Sequence, residues 1–339
     1  MSTTVSPTTP ELILAPELRA TIAENAKAVD KGEKDARYVL PLLGEAGLLS
    51  RNLLDTARAI REISAEDLSA GFTTWADRMT IEYLDRAGTG YATGLLNDLR
   101  AGTRPGVTGM AGPFKEFAGC GEIALQAEKV GDGYVLNGRL KWASNLYEDA
   151  VLVSGAKTAD GHRFLFALEA GHEGMTFGRP FGLLGLNATA SAWVDFENFI
   201  ASVRPTFVLL QIAECIGVAE ASAAAASTRL SGVNETFAED VAQATGDNAE
   251  IISRQEAIIS RLAEGEKVPP AELLELRLDA ASAAVTAANL EVRVAGGAGY
   301  AKSSPASRRF REAAFIPVQS PSESQLRWEL ARARELAQV

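Results

Sequence analysis

Residues 131–145 read Gly131-Asp132-Gly-Tyr134-Val-Leu-Asn137-Gly138-Arg-Leu-Lys141-Trp142-Ala-Ser144-Asn145. Two turn signals, Gly131-Asp132 and Asn137-Gly138, punctuate a run whose side chains alternate with a period of two. That is the pattern of strands joined by tight turns. Three more such runs follow: Ala150-Val-Leu-Val-Ser154, Arg163-Phe-Leu-Phe-Ala-Leu168 and Ser191-Ala-Trp-Val-Asp-Phe196. No helical pattern separates them, so they predict an antiparallel β lobe over about 105–204.

On the N-terminal side the period lengthens to that of a helix. Leu18, Ile22 and Ala26 are four apart, and Tyr38–Leu49 reads as a second apolar helix closed by Gly47. Within Leu54–Glu66, residues Ala57, Ile60, Ile63 and Ser64 share a face. Ile81–Asp85 and Tyr91–Arg100 read as short helices separated by Gly88 and Gly90. Ala101-Gly102-Thr-Arg-Pro105-Gly106 then breaks the pattern.

On the C-terminal side the helical period returns. Ile212–Leu230 is rich in alanine, and small side chains let helices approach closely. Ile251, Ile252, Gln255, Ile258, Ile259 and Leu262 form one stripe, Leu273–Val294 carries another, and a last helix runs from about Gln325 to Leu336. Together they predict a four-helix bundle. The acidic run Ser231–Glu250 is expected as a solvated loop or helix face. The expected fold class is α+β and mostly α. It comprises a lead-in over 1–10, a helical domain over 11–104, the β domain over 105–204 and the bundle over 205–339.

Composition narrows the function. The 339 residues are 47% apolar and 23% charged, with a formal net charge of −11. A negative surface disfavours nucleic acid and anionic membranes as partners. Two cysteines, Cys120 and Cys215, and two histidines, His162 and His172, cannot furnish a Cys- or His-rich metal cage. The cysteine count fits a reducing compartment, and the Ser/Thr/Pro-rich start lacks a basic-then-apolar signal. A cytoplasmic location is therefore expected. The most apolar stretch, Thr206–Ala219, contains Gln211 and Glu214 and is too short to cross hydrocarbon.

Four blocks in this order resemble the acyl-CoA dehydrogenase flavoproteins. The first is residues 131–145, ending in a Trp-x-(Ser/Thr)-Asn turn. The second is Gly182-Leu-Leu-Gly-Leu-Asn187, running on to Trp193-Val-Asp-Phe196-Glu-Asn, with Asn187 where Arg or Ser is commoner. The third is Arg293-Val-Ala-Gly296-Gly297-Ala-Gly299-Tyr300, and the fourth is Arg308-Arg309-Phe-Arg311-Glu312-Ala. Leu42-Leu-Gly-Glu-Ala-Gly47 resembles the family's second helix. The resemblance runs from about residue 17 to 335.

That resemblance implies FAD. Trp142, which in isolation is an ordinary core or rim aromatic, would pack on the flavin ring, and Ser144 would hydrogen-bond its N5, where a hydroxyl stabilises developing charge. Gly106-Val-Thr-Gly109-Met110-Ala111-Gly112-Pro113 replaces the family's usual Thr-Glu-Pro. It is expected either as a plain linker or as a flavin cradle acting through the backbone of Met110 and Ala111. Gly296 and Gly297 are either a helix cap or the loop that approaches the adenine or pyrophosphate half across a subunit boundary, with Arg293 facing phosphate. The family's Arg-x-x-Phe-Gly segment is missing from the first part of the bundle, which leaves FMN as an alternative. A flavin site that spans subunits implies a homodimer or homotetramer, or a heteromer with a related subunit.

The family's catalytic glutamate falls, by count, on Ser320, and its rarer alternative position falls near Phe207. Neither side chain can take a proton from the α-carbon of a thioester. Glu323 and Glu214 are candidate substitutes, against a plain reading as surface or capping charges. The expected function is flavin-dependent CH–CH oxidation of an acyl-CoA or other acyl thioester. Two alternatives stay open: a reduced-flavin monooxygenase of the same fold, and a non-catalytic subunit of a heteromeric dehydrogenase.

Overall fold

A computed structural model describes residues 12–130, 133–171, 175–176, 183–184, 186–189 and 200–336. The second block's strand, Ser191–Phe196, lies outside the described residues, as does the lead-in over 1–10.

Five helices form the N-terminal lobe: α1 (Pro16–Asp30), α2 (Val39–Glu45), α3 (Leu53–Glu66), α4 (Leu68–Ala87) and α5 (Gly90–Arg100). Three starts are capped by side chains: Asn52 caps α3, Asp67 caps α4 and Thr89 caps α5. The short helix expected at Ile81–Asp85 is the end of α4, a single 20-residue helix. Helix α4 is buried along nearly its whole length. A helix buried all round shows no amphipathic stripe, so periodicity caught only its end.

The β lobe departs from expectation in direction. A short strand β1 (Gly106–Thr108) leads into α6 (Ala111–Ala118), followed by β2 (Gln126–Val130), β3 (Gly133–Asn137), β4 (Val151–Thr158) and β5 (Arg163–Glu169). β2 pairs with β3, and β4 with β5, in antiparallel register. β1 and β2, however, both run parallel to β4, pairing end to end with residues 151–153 and 157–158. The sheet is mixed, not antiparallel. The cause is α6: the chain leaves the edge of β4 after Thr108, makes two turns of helix and rejoins the same edge in the same direction.

The bundle comprises α7 (Ile200–Ser227), α8 (Ala238–Ala263), α9 (Pro270–Tyr300) and α11 (Glu323–Leu336), with the short α10 (Pro305–Ala313) between the last two. The acidic run divides into a 3₁₀ turn at Gly232–Phe237 and the solvated start of α8. Segment Arg204–Ser227 of α7 is apolar and, at 24 residues, long enough to span a bilayer, which corrects the shorter stretch read from sequence. Of its 18-residue apolar window 83% is buried inside the protein, so its apolar character serves the core. Helix α7 packs against both α9 and α3. At its crossing with α3, a Cβ on Gly217 would lie 2.2 Å from the Arg61 carbonyl oxygen, so only glycine fits. One apolar core thus runs from Ile22, Leu43 and Ile60 through Leu209 and Ile216 to Leu276 and Ala284.

Candidate functional site

A cleft of about 510 Å3 opens where α4, the β1–α6 junction, the 142–144 turn, α7 and the segment after α10 meet. That size is in the ~300–1,000 Å3 range of small-molecule sites. Met110, Ala111, Trp142 and Ser144 all line it. Trp142 is 38% exposed, turned toward the cleft and away from the core, while Ser144 is buried beside it.

The turn that carries them is held from behind. Asn145 adopts φ 63°, the left-handed region that asparagine tolerates better than most residues. Its Nδ2 donates to the carbonyls of Thr73 on α4 and Gly106 on β1, each at 3.1 Å. Its backbone N–H donates to the Thr189 carbonyl at 2.8 Å. Asp77 on α4 in turn accepts the Gly106 N–H at 2.7 Å. Burial pushes the Asp77 carboxyl up to about 8.

Residues 110–113 are neither linker nor loop: Met110 is the N-cap position of α6. No side chain caps this start, and Ala111 and Gly112 of its first turn line the cleft. Gly109 is glycine for packing, because a Cβ there would meet Ser154 Oγ at 2.2 Å. Thr108 also lines the cleft, its Oγ1 2.8 Å from the Tyr83 hydroxyl. The sequence reading gave Thr108 no role, since the strand that aims it is only three residues long.

The floor is aromatic. Phe72 stacks on Trp75 at 5.2 Å between ring centroids, Phe207 meets Trp75 edge-on at 4.9 Å, and Phe315 meets Phe72 edge-on at 5.3 Å. Ser320 completes the wall. The two positions counted for a catalytic acid, Ser320 and Phe207, therefore do reach the cleft, and neither is acidic. Lys115, Lys141 and Glu122, all exposed, sit at its mouth.

Glu214 is not in the cleft. It is fully buried on α7, and burial raises its carboxyl to about 8. Gln319, a wall residue, stands in front of it and donates from Nε2 to Glu214 Oε2 at 2.8 Å. The other end of that amide accepts from Arg277 at 3.3 Å. Arg277, buried on α9, also donates to the Ile316 carbonyl and to Gln211. Gln211 donates to the Ser320 carbonyl at 2.9 Å. Glu323 sits at the start of α11, ion-paired to Arg327 at 2.7 Å, and does not line the cleft.

The glycine-loop residues lie elsewhere. Gly296 and Gly297 are exposed near the end of α9, where Gly296 kinks the helix at φ 59°. Arg293 is 54% exposed along its side chain, lies over the Phe237 ring and is 3.8 Å from Asp240. None of the three lines the cleft. The arginines of the fourth block serve structure: Arg308 pairs with Glu312, Arg309 with Glu291, and Arg311 with Asp30.

No family model matches the sequence. The mitochondrial short-chain specific acyl-CoA dehydrogenase of Bos taurus is 24% identical over 350 residues, covering 86% of this chain and 81% of the bovine protein. The solved butyryl-CoA dehydrogenase of Megasphaera elsdenii superposes with a TM-score of 0.81 at 17% identity, covering 98% of this chain and 99% of that one. The chain is acyl-CoA dehydrogenase-like. A further solved structure with this fold is KijD3 in complex with FMN and a dTDP-linked amino-keto sugar, at TM-score 0.78 and 16% identity over 98% of this chain and 95% of that one. In this chain serine and phenylalanine stand at the counted acid positions.

Proposed function

We propose that the chain is a flavin-dependent oxidoreductase whose ring site is the cleft beside Trp142. The observation that carries this is convergence. An exposed indole, a neighbouring hydroxyl and an uncapped helix start come together from separate segments in one cleft. These groups suit a flavin ring: a flat face for stacking, a hydroxyl for a ring nitrogen, and free amides for carbonyl oxygens. Bound there, a flavin supplies two-electron redox chemistry. Trp142 would cover the ring, Ser144 would orient it, and the amides of Ala111 and Gly112 would hold its polar edge. The aromatic floor of Phe72, Trp75, Phe207 and Phe315 would keep water from the reacting face. FAD is the expected form, and FMN the alternative. Arg293, Gly296 and Gly297 would bear on the dinucleotide only through a second copy of the chain.

Thioester CH–CH oxidation needs a carboxylate in reach of the substrate's α-carbon. Glu214, its carboxyl pushed up to about 8 by burial, stands behind Gln319, and Glu122 is exposed at the mouth. This arrangement favours the second reading, oxygenation by reduced flavin and O2, which requires no such base. The relative bound to FMN and a nucleotide sugar supports it, because that ligand is no thioester.

The test is a spectrum of the purified protein. A flavin chromophore is expected, unbleached by acyl-CoAs under anaerobic conditions, with product formed only when a flavin reductase and O2 are added. Anaerobic bleaching by an acyl-CoA would restore the dehydrogenase reading. A colourless protein that takes up neither FAD nor FMN would leave the non-catalytic subunit.

A further inference from the structure

Helix α10 carries three arginines, and each meets a carboxylate. Arg308 Nη1 donates to both oxygens of Glu312 at 3.0 and 3.1 Å, Arg311 pairs with Asp30 at 2.7 Å, and Arg309 pairs with Glu291. A fourth carboxyl, Asp67, faces the same cluster from the cap position of α4. Asp67 is 0% exposed and Glu312 1%. Three guanidiniums thus meet four carboxyls, and Arg308 commits its Nη2 to the Glu66 carbonyl at 2.8 Å. Tyr38, the remaining titratable group beside Asp67, brings no positive charge. Lys27, Lys31, Lys302 and Glu33, which share a surface pocket with Arg308, are exposed, and water screens them. Two buried carboxyls around one guanidinium cannot both stay charged. Burial and the charge of Glu312 push the Asp67 carboxyl up, and burial pushes that of Glu312 up as well.

This cluster sits where two sides of the cleft begin. Helix α4 starts at Asp67 and carries Phe72 and Trp75 to the floor. The Phe315 N–H donates to the Glu312 carbonyl at 3.0 Å, so the wall Phe315–Ser320 sets out directly from the clustered end of α10. We propose that Asp67 and Glu312 form a proton-operated clamp: with one proton between them α10 is fastened to the start of α4, and when that proton leaves, α10 and the cleft wall after it work loose. The sign follows from the direction of the shifts. The closed clamp holds a proton at a pH where a solvated carboxyl would have released it, so closure is favoured at low pH and is lost as pH rises. The charge left behind is buried beside a like charge, and only opening to water relieves it. The clamp goes beyond the flavin reading and does not depend on it.

The test is hydrogen exchange read by mass spectrometry over α10 and Phe315–Ser320 between about pH 5.5 and about pH 9, corrected for the intrinsic pH dependence of amide exchange. In wild type, opening over both stretches should rise by up to about tenfold per pH unit once the proton leaves, and by about tenfold or more in all. Helix α8, which packs on α7 and α9, is the reference for whole-molecule opening. Asp67→Asn keeps a capping side chain but cannot ionise, so opening over α10 should stay within about twofold across the range. Asp67→Ser, another good cap, takes its place if the asparagine variant does not fold. Whatever Glu214 adds through Gln319 is common to wild type and variant, so the difference between them is the clamp's share. Four results overturn the proposal: no rise over α10 in wild type, a rise that only follows α8, a rise over α10 that leaves Phe315–Ser320 unmoved, or an equal rise in the Asp67 variant. None of these readouts needs flavin, so the clamp and the flavin site stand or fall separately.

Discussion

Asn145 Nδ2 donates to the Gly106 carbonyl at 3.1 Å, and that bond ties the turn carrying Trp142 and Ser144 to the strand carrying Thr108. Two cleft walls that are 39 residues apart in sequence are thereby held in one relative position. Asp77 holds the N–H of the same Gly106, so helix α4 is fastened to the strand as well.

Replacing Asn145 should therefore loosen the site as well as the fold. Asn145→Ala removes both carbonyl partners and places an alanine at positive φ, and should cost about 2–4 kcal/mol. Asn145→Gly loses the same hydrogen bonds but tolerates the backbone, and should recover about 1 kcal/mol of that. Urea midpoints rank the two. Both variants should hold flavin less tightly than wild type.

Trp142 is 38% exposed, so its loss should cost less stability than that of a core aromatic. Trp142→Ala should lower unfolding free energy by about 1–2 kcal/mol yet abolish copurifying flavin. Ser144→Ala should keep the chromophore and slow its reduction about 10²-fold, the usual effect of removing one donor to developing charge. A Trp142→Ala protein as yellow as wild type would contradict the proposed ring site.

Glu214 and Asp77 each contribute stability that is lost as pH rises. Their folded values, about 8 each, lie above the ordinary carboxyl values of 4.5 and 3.8 because burial disfavours the charged form. Between those limits the folded protein holds protons that the unfolded chain releases. The stabilisation is therefore complete below about pH 4 and is lost as pH rises to about 8, by at most about 1.4 kcal/mol per pH unit for each group. Glu214→Gln and Asp77→Asn should each flatten that slope by about one proton in denaturant titrations run across this range.

Arg277 fixes the cleft's far wall from behind. Lysine offers a point charge where Gln211, Gln319 and the Ile316 carbonyl use a planar fork. Arg277→Lys should cost about 3 kcal/mol and raise hydrogen exchange over Phe315–Ser320 before global unfolding.

Much of this was legible in the sequence because much of it is local. The order of lobes follows from the switch of period from helical to two and back, and turn chemistry marks 131–145. The resemblance carried by those turns picked out Trp142, Ser144, Met110 and Ala111, and the residue count that gave Ser320 and Phe207 landed on the same cleft. Local spacing misled where neighbours in space dominate. Helix α4 was seen only at its end, and β1 and β2 run parallel to β4.

The sequence alone therefore settled the order of helical and β segments and the absence of an acid at positions 207 and 320, since periodicity and residue identity need no partner. Only the tertiary structure decided that Glu214 is buried behind Gln319, with its carboxyl pushed up by burial, and that Glu323 lies outside the cleft. It alone brought Trp75 and Ser320 to the wall of one cleft. Burial and hydrogen-bond satisfaction belong to the packed chain: 245 residues separate those two side chains along it, and no spacing rule reaches that far.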